Sequence, residues 1–173
     1  MIQLSKADML NRLHSLDKDA FLLHPDDEKF NVIIVGGSAL ILGDYTQNVT
    51  KDIDVISATK DLHELFWKYD MNCDVTAYMN SFPLNYEDRL VPLMEGKKII
   101  FYSLSLEDIA ISKLCGGRPN DLEDLEVIAD KIDWKLLENL AVKEDELKAN
   151  IMNDSNYFFF FENYKDYIKR FKK

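Results

Sequence analysis

The sequence predicts an α/β domain, a small mixed β-sheet flanked by helices with a helical extension at its C-terminal end. Three observations predict it. Short apolar runs rich in β-branched residues, such as Phe30-Asn31-Val32-Ile33-Ile34-Val35, alternate with longer segments whose apolar residues recur at helical spacing. Glycine pairs and prolines punctuate the changes of period, at His24-Pro25, Gly36-Gly37 and Gly116-Gly117. Finally, 173 residues with 47% hydrophobic content suffice for one core and are too few for two ordinary domains. The chain therefore reads as a single domain over 1–173, with a core of about 28–132, an N-terminal helix over 1–25 and an extension over 133–173.

The N-terminal helix carries Met9, Leu10, Leu13 and Leu16 as its apolar stripe and ends near His24-Pro25. The run 30–35 reads as a buried strand that breaks at Gly36-Gly37 before a short helix, Ser38-Ala39-Leu40-Ile41-Leu42. A polar loop over 43–47 leads to a second strand around Asp52-Ile53-Asp54-Val55. Residues 60–70 form a helix with Leu62, Leu65, Phe66 and Tyr69 inward, followed by a strand over 72–78. A helix around Tyr86 to Leu93 and a strand over 98–102 come next. Ser105 with Asp108 three residues on is close to a capping box, and it opens a helix whose stripe is Leu106, Ile109, Ala110 and Leu114. Gly116-Gly117 ends that helix, and Asp121 is expected to cap another with Leu122, Leu125, Ile128, Ala129 and Ile132 inward. A last helical segment runs from Trp134 to about Asn150.

From Asn163 to Lys173 five basic residues stand against one acid, Asp166, while Tyr164, Tyr167, Ile168 and Phe171 recur at helical spacing. This amphipathic helix either docks with a solvated basic face or offers a patch to RNA or a partner protein. The preceding run Tyr157-Phe158-Phe159-Phe160-Phe161 either enters the core or forms an interface.

Charge and composition exclude several classes. A net charge of −10 and a pI of about 4.7 argue against broad electrostatic capture of nucleic acid, which needs clustered Lys and Arg. With no 18-residue apolar run and no signal-peptide pattern, a soluble cytoplasmic protein without a membrane partner is expected. Cys73, Cys115, His14, His24 and His63 show no metal spacing and read as structural or surface residues.

The chemistry is concentrated in one stretch. Successive side chains of a strand point to opposite faces, so Asp52 and Asp54 emerge on one face while Ile53 and Val55 enter the core. Mg²⁺ is commonly held by one or two carboxylates together with substrate phosphates, which suits such a pair. Gly36 and Gly37 allow backbone N–H groups to approach a phosphate, and the Ser38 hydroxyl is a further donor. Asp74, on the following strand, either completes a triad as metal ligand or base, or faces solvent. Plotted at 100° per residue, Lys113 falls inside the apolar stripe of its helix. It either reaches toward a triad carboxylate or a triphosphate, or snorkels to the surface. Arg118, in a tight turn, either contacts phosphate or pairs with Asp121 or Asp124, acids that read as cap and network residues rather than ligands.

Gly37-Ser38, a spacer and Asp52-Ile53-Asp54 resemble the motif of the nucleotidyltransferase superfamily related to DNA polymerase β. Thr50-Lys51-Asp52-Ile53-Asp54, Ser112-Lys113-Leu114, Gly117-Arg118 and Asp121-Leu122-Glu123-Asp124 are further similar to a bacterial branch related to AbiEii-type toxins. The resemblance covers roughly 30–140. It implies the nucleotidyltransferase fold, and transfer of a nucleoside monophosphate from an NTP to a hydroxyl of RNA (tRNA included), a protein or a small molecule. It also implies Mg²⁺ or Mn²⁺ as cofactor, Asp52, Asp54 and Asp74 as catalytic metal ligands, and Gly36, Gly37, Ser38, Lys51, Lys113 and Arg118 as nucleotide-binding residues. A toxin with a cognate antitoxin or another partner protein fits the same branch, and a non-catalytic antitoxin or nucleotide-binding module on this fold is the rival reading. A Rossmann site is disfavoured because Gly36-Gly37-Ser38 lacks the G-x-G-x-x-G spacing.

Overall fold

The structure, a computed structural model, describes residues 3–56, 59–74, 79–151 and 153–172. The chain divides into two compact units, Met1–Val75 with Leu90–Leu104, and Thr76–Arg89 with Ser105–Lys173.

The first unit carries a five-stranded mixed sheet. Its elements are α1 (Lys6–Leu23), β1 (Phe30–Val35), α2 (Gly36–Leu42), β2 (Ile53–Ile56), α3 (His63–Lys68), β3 (Met71–Asn72), β4 (Val91–Glu95) and β5 (Ile99–Ser103). The strand order is β3-β2-β1-β5-β4. β1 runs antiparallel to β2 and parallel to β5, β2 is parallel to β3, and β4 is antiparallel to β5. Central placement explains the unbroken run in β1, where Val32, Ile33, Ile34 and Val35 are all buried, as expected for a strand covered on both faces.

α1 starts at Ser5, whose hydroxyl accepts the Asp8 N–H while the Asp8 carboxylate accepts the Ser5 N–H, a capping box. Met9, Leu13 and Leu16 are buried, and Leu10 only half so. On the same face Asp17 reaches the β4–β5 turn. Its carboxylate accepts the N–H groups of Lys97 at 2.9 Å and of Lys98 and Ile99 at 2.8 Å each. Gly96 is required beside it, because a Cβ there would lie 2.2 Å from Asp17 Oδ1. The helix expected over 86–93 is a correction. Only a 3₁₀ turn, Tyr86–Arg89, forms, and the chain then extends as β4, whose Pro92 suits an edge strand that need not donate at that position. The strand expected over 72–78 is seen for Met71–Asn72, with 75–78 outside the described residues.

The second unit is helical: α4 (Leu106–Gly116), α5 (Pro119–Ile128), α6 (Trp134–Glu138), α7 (Glu146–Ile151) and α8 (Asp154–Phe171). Ser105 caps α4 as its sequence suggests, its hydroxyl accepting the Asp108 N–H at 3.1 Å. Asp108 itself is fully buried, and Arg89 grips it with Nε to Oδ2 at 3.0 Å and Nη2 to Oδ1 at 2.9 Å. Gly117, at φ +60°, closes α4 in the left-handed conformation that disfavours any side chain. The cap of α5 moves from the expected Asp121 to Arg118. Pro119 takes the first helical position, and the Asp121 carboxylate reaches back to the Arg118 N–H at 3.2 Å. Leu122, expected inward, is 46% exposed. The segment expected as one helix over 134–150 is broken into α6, a π-helical turn at Asn139–Lys143 and α7.

The aromatic run and the basic end form the single helix α8. Phe160, Tyr164 and Tyr167, spaced four and three apart, are its buried stripe, while Phe158 and Phe159 face outward. Tyr167 donates its hydroxyl to the Leu125 carbonyl at 2.9 Å, and burial raises that hydroxyl's pKa. None of the described helices is long and apolar enough to cross a membrane.

Candidate active site

Three neighbouring strands of the first unit meet around one carboxylate. Antiparallel register sets Val35, the last residue of β1, opposite Asp54 of β2, and parallel register sets Asn72 of β3 on the other side of Asp54. The chain leaves β1 through Gly36 at φ +64°, and a Cβ at this residue would stand 3.1 Å from Asp54 Oδ2. The other oxygen, Oδ1, accepts the Asn72 Nδ2–H at 2.7 Å. Ile53 and Val55 are fully buried and Asp54 is half-buried, so the alternation read from the sequence places this side chain on the opposite face.

Asp52 lies one residue before β2 and is exposed, as is Lys51 beside it. Asp74 is two residues past the end of β3, exposed, and its N–H donates to Asn72 Oδ1 at 3.1 Å. The residue in register with Asp54 is therefore Asn72 and not Asp74. Among the described residues no group of three or more His, Cys, Asp or Glu gathers at metal-ligand spacing.

Gly37 follows Gly36 inside α2, and a Cβ on it would meet nothing within 4 Å. Ser38 is 1% exposed, and its hydroxyl donates to the Val35 carbonyl at 2.8 Å. A hydroxyl carries one proton, so the donation to phosphate expected from the sequence competes with this internal bond. Ser38 here closes the strand-to-helix turn.

Lys113 and Arg118 belong to the second unit. Lys113 is inward-facing as its helical position predicts, yet its ammonium lies 2.5 Å from Asp124 and 3.5 Å from Asp121 rather than against an acid of the expected triad. Arg118, largely exposed, donates from Nε to Asp121 Oδ2 at 2.8 Å. Burial alone would raise the Asp121 carboxyl's pKa. The hydrogen bonds from Arg118 and the Lys113 charge outweigh it and hold that carboxyl below its ordinary value. Asp121 and Asp124 are thus network acids, in keeping with their sequence reading. Burial pushes the Cys115 thiol up to about 12, which disfavours its thiolate.

The donors fit a hard divalent cation. Asp52 and Asp54 offer oxygen only, without His or Cys nearby in the motif, and Mg²⁺ needs no more than one or two carboxylates when phosphates and water complete its octahedron. Asn72 and Asp17 escaped sequence reading. The signal for Asn72 was its place two residues before Asp74, but only strand register distinguishes the two.

A family model described as a nucleotidyltransferase of unknown function (DUF6036) matches residues 11–172. No curated protein and no solved structure matches the chain. The five-stranded mixed sheet of the first unit is consistent with a nucleotidyltransferase fold. The chain belongs to the nucleotidyltransferases of unknown function grouped as DUF6036.

Proposed function

We propose that the chain transfers a nucleoside monophosphate from an NTP to an acceptor hydroxyl, with Mg²⁺ or Mn²⁺ as cofactor. The observation that carries this reading is the Asp54 carboxylate set against the Gly36 turn, with Asp52 two residues away along the same chain. In the reaction the acceptor oxygen bonds to the α-phosphorus, and the bond from that phosphorus to the β-phosphate bridging oxygen breaks. The electron pair leaves on pyrophosphate, and the acceptor's proton passes to a base. Asp52 and Asp54 would hold the cation, which when bound polarises the transferring phosphoryl group and neutralises the leaving pyrophosphate. Gly37 leaves space beside the turn for the triphosphate to approach the backbone. Asp74, exposed at the end of β3, is assigned as the base for the incoming hydroxyl or as a third ligand. The acceptor is an RNA 3′ end, a protein hydroxyl or a small molecule. The resemblance of the Thr50–Asp54 and Ser112–Asp124 motifs to a branch related to AbiEii-type toxins supports a toxin or defence role with a cognate partner protein.

A second reading, a nucleotide-binding module without turnover, is favoured by the internal pairing of Lys113, Arg118 and Ser38 and by the lack of a gathered three-acid group among the described residues. One experiment separates them. The pure protein is incubated with each α-labelled NTP, Mg²⁺ or Mn²⁺, total RNA and lysate. Label should appear on an acceptor and vanish in Asp52→Ala and Asp54→Ala, both of which keep their fold. Wild-type labelling by both variants overturns the assignment. Metal-dependent nucleotide binding by calorimetry, without any labelled product, selects the module.

A further inference from the structure

We infer that Asn72 is the positioning residue for Asp54, an inference that rests on reading Asp54 as a ligand of the catalytic cation. Three observations meet at this side chain. Parallel register places Asn72 directly beside Asp54. Its Nδ2 donates to Asp54 Oδ1 at 2.7 Å, and its Oδ1 accepts the Asp74 N–H at 3.1 Å. The orientation of the amide follows from its neighbours, since an ionised carboxylate only accepts and a backbone N–H only donates, so the reversed amide would lose both bonds.

The consequence is geometric. β3 is only two residues long, so its ladder alone gives little hold on the third strand of the site. The Asn72 side chain supplies a second tie, fixing one carboxylate oxygen of Asp54 from the β3 side, while the other oxygen lies where a Cβ at Gly36 would come within 3.1 Å of it. The bond from Asn72 thereby orients the carboxylate through a partner that is not itself a ligand. The same amide starts the turn that carries Asp74 out of β3, so one residue orients one acid and places the backbone of another. An aspartate at 72 could not do this, because it has no proton to give Asp54. Hydrogen-bonded outer partners of metal-ligating carboxylates typically change metal affinity by about 10- to 100-fold when removed.

The test measures Mn²⁺ binding by electron paramagnetic resonance in wild-type protein, Asn72→Ala, Asn72→Leu and Asp54→Ala, with melting temperature recorded for each. The leucine keeps the volume of Asn72 without its donor, and so covers the case in which the alanine variant fails to fold. Both Asn72 variants should raise the Mn²⁺ dissociation constant by about 10-fold, while Asp54→Ala abolishes binding. In ¹H–¹⁵N spectra of the metal-free protein, the Asn72 side-chain amide should shift when Asp54 is replaced. Wild-type Mn²⁺ affinity in a folded Asn72→Leu protein, with or without a lower melting temperature, reduces Asn72 to a packing residue and overturns the inference while the Asp54 assignment stands. Retained Mn²⁺ binding in Asp54→Ala overturns the assignment of Asp54 and the inference with it.

Discussion

Two adjacent glycines of one turn should differ in how the same substitution changes stability. Gly36 sits at φ +64°, where a side chain costs roughly 1–2 kcal/mol, and its Cβ would also press on Asp54 Oδ2 at 3.1 Å. Gly36→Ala should therefore destabilise the protein by about 1–2 kcal/mol. At about 2–4 °C per kcal/mol for a chain of this size, the melting temperature falls by roughly 2–8 °C. Gly37 has open space around a new Cβ and lies within α2, where alanine is favoured over glycine by about 0.5–1 kcal/mol in a helix interior and somewhat less in a first turn. Gly37→Ala should leave the melting temperature unchanged or raise it by about 1–3 °C. Nucleotide binding should instead respond in the same direction to both. Both variants should weaken a non-hydrolysable NTP in calorimetry, Gly36→Ala by displacing Asp54 and Gly37→Ala by filling the space assigned to the triphosphate. A wild-type melting temperature for Gly36→Ala would refute the conformational argument. A stabilised Gly37→Ala protein with unchanged NTP affinity would remove the nucleotide from this turn.

Ser38→Ala deletes a buried bond to the Val35 carbonyl and should cost about 1 kcal/mol of stability while NTP affinity stays within about twofold; a tenfold weaker NTP in titration would restore the hydroxyl to the phosphate. Lys113→Met leaves Asp121 and Asp124 without their shared cation and should lower stability by about 3 kcal/mol, with mono- and triphosphates affected alike. A loss confined to triphosphates, at an unchanged melting temperature, would instead make Lys113 a substrate contact. Asp121, whose folded pKa is held below the ordinary value of 3.8, contributes stability that is fully present above that value and is lost as pH falls through the lowered one. Asp121→Asn should accordingly flatten the acid limb of the stability curve, measured by denaturant melts between pH 2 and pH 5, and an unaltered limb would show that other groups set it.

Local pattern was enough for part of this molecule. The β-branched run of β1, the Gly36-Gly37 break, the alternation that buries Ile53 and Val55, and the Ser105 cap are each decided by residues within a few positions of one another. Lys113 was also legible as inward-facing, because helical period alone fixes its side. What Lys113 meets was not legible. Its partners Asp121 and Asp124 arrive on another helix, and their place depends on how α4 ends at Gly117 and how α5 begins. Val91–Glu95 was misread because four residues of a real 3₁₀ turn precede it, and a short amphipathic stretch has no period long enough to separate helix from edge strand. Asn72 is the plainest case. Sequence brings out the acids, since carboxylates at alternate positions announce themselves, but which residue of β3 stands beside Asp54 is a matter of register between strands that the chain joins only after α3. Register is set by the packing of the whole sheet, and a shift of one residue would turn every side chain of β3 to the other face. The acids and glycines of the proposed site were therefore legible locally, whereas the partners that hold Asp54, Ser38 and Lys113 in place were decided by tertiary structure.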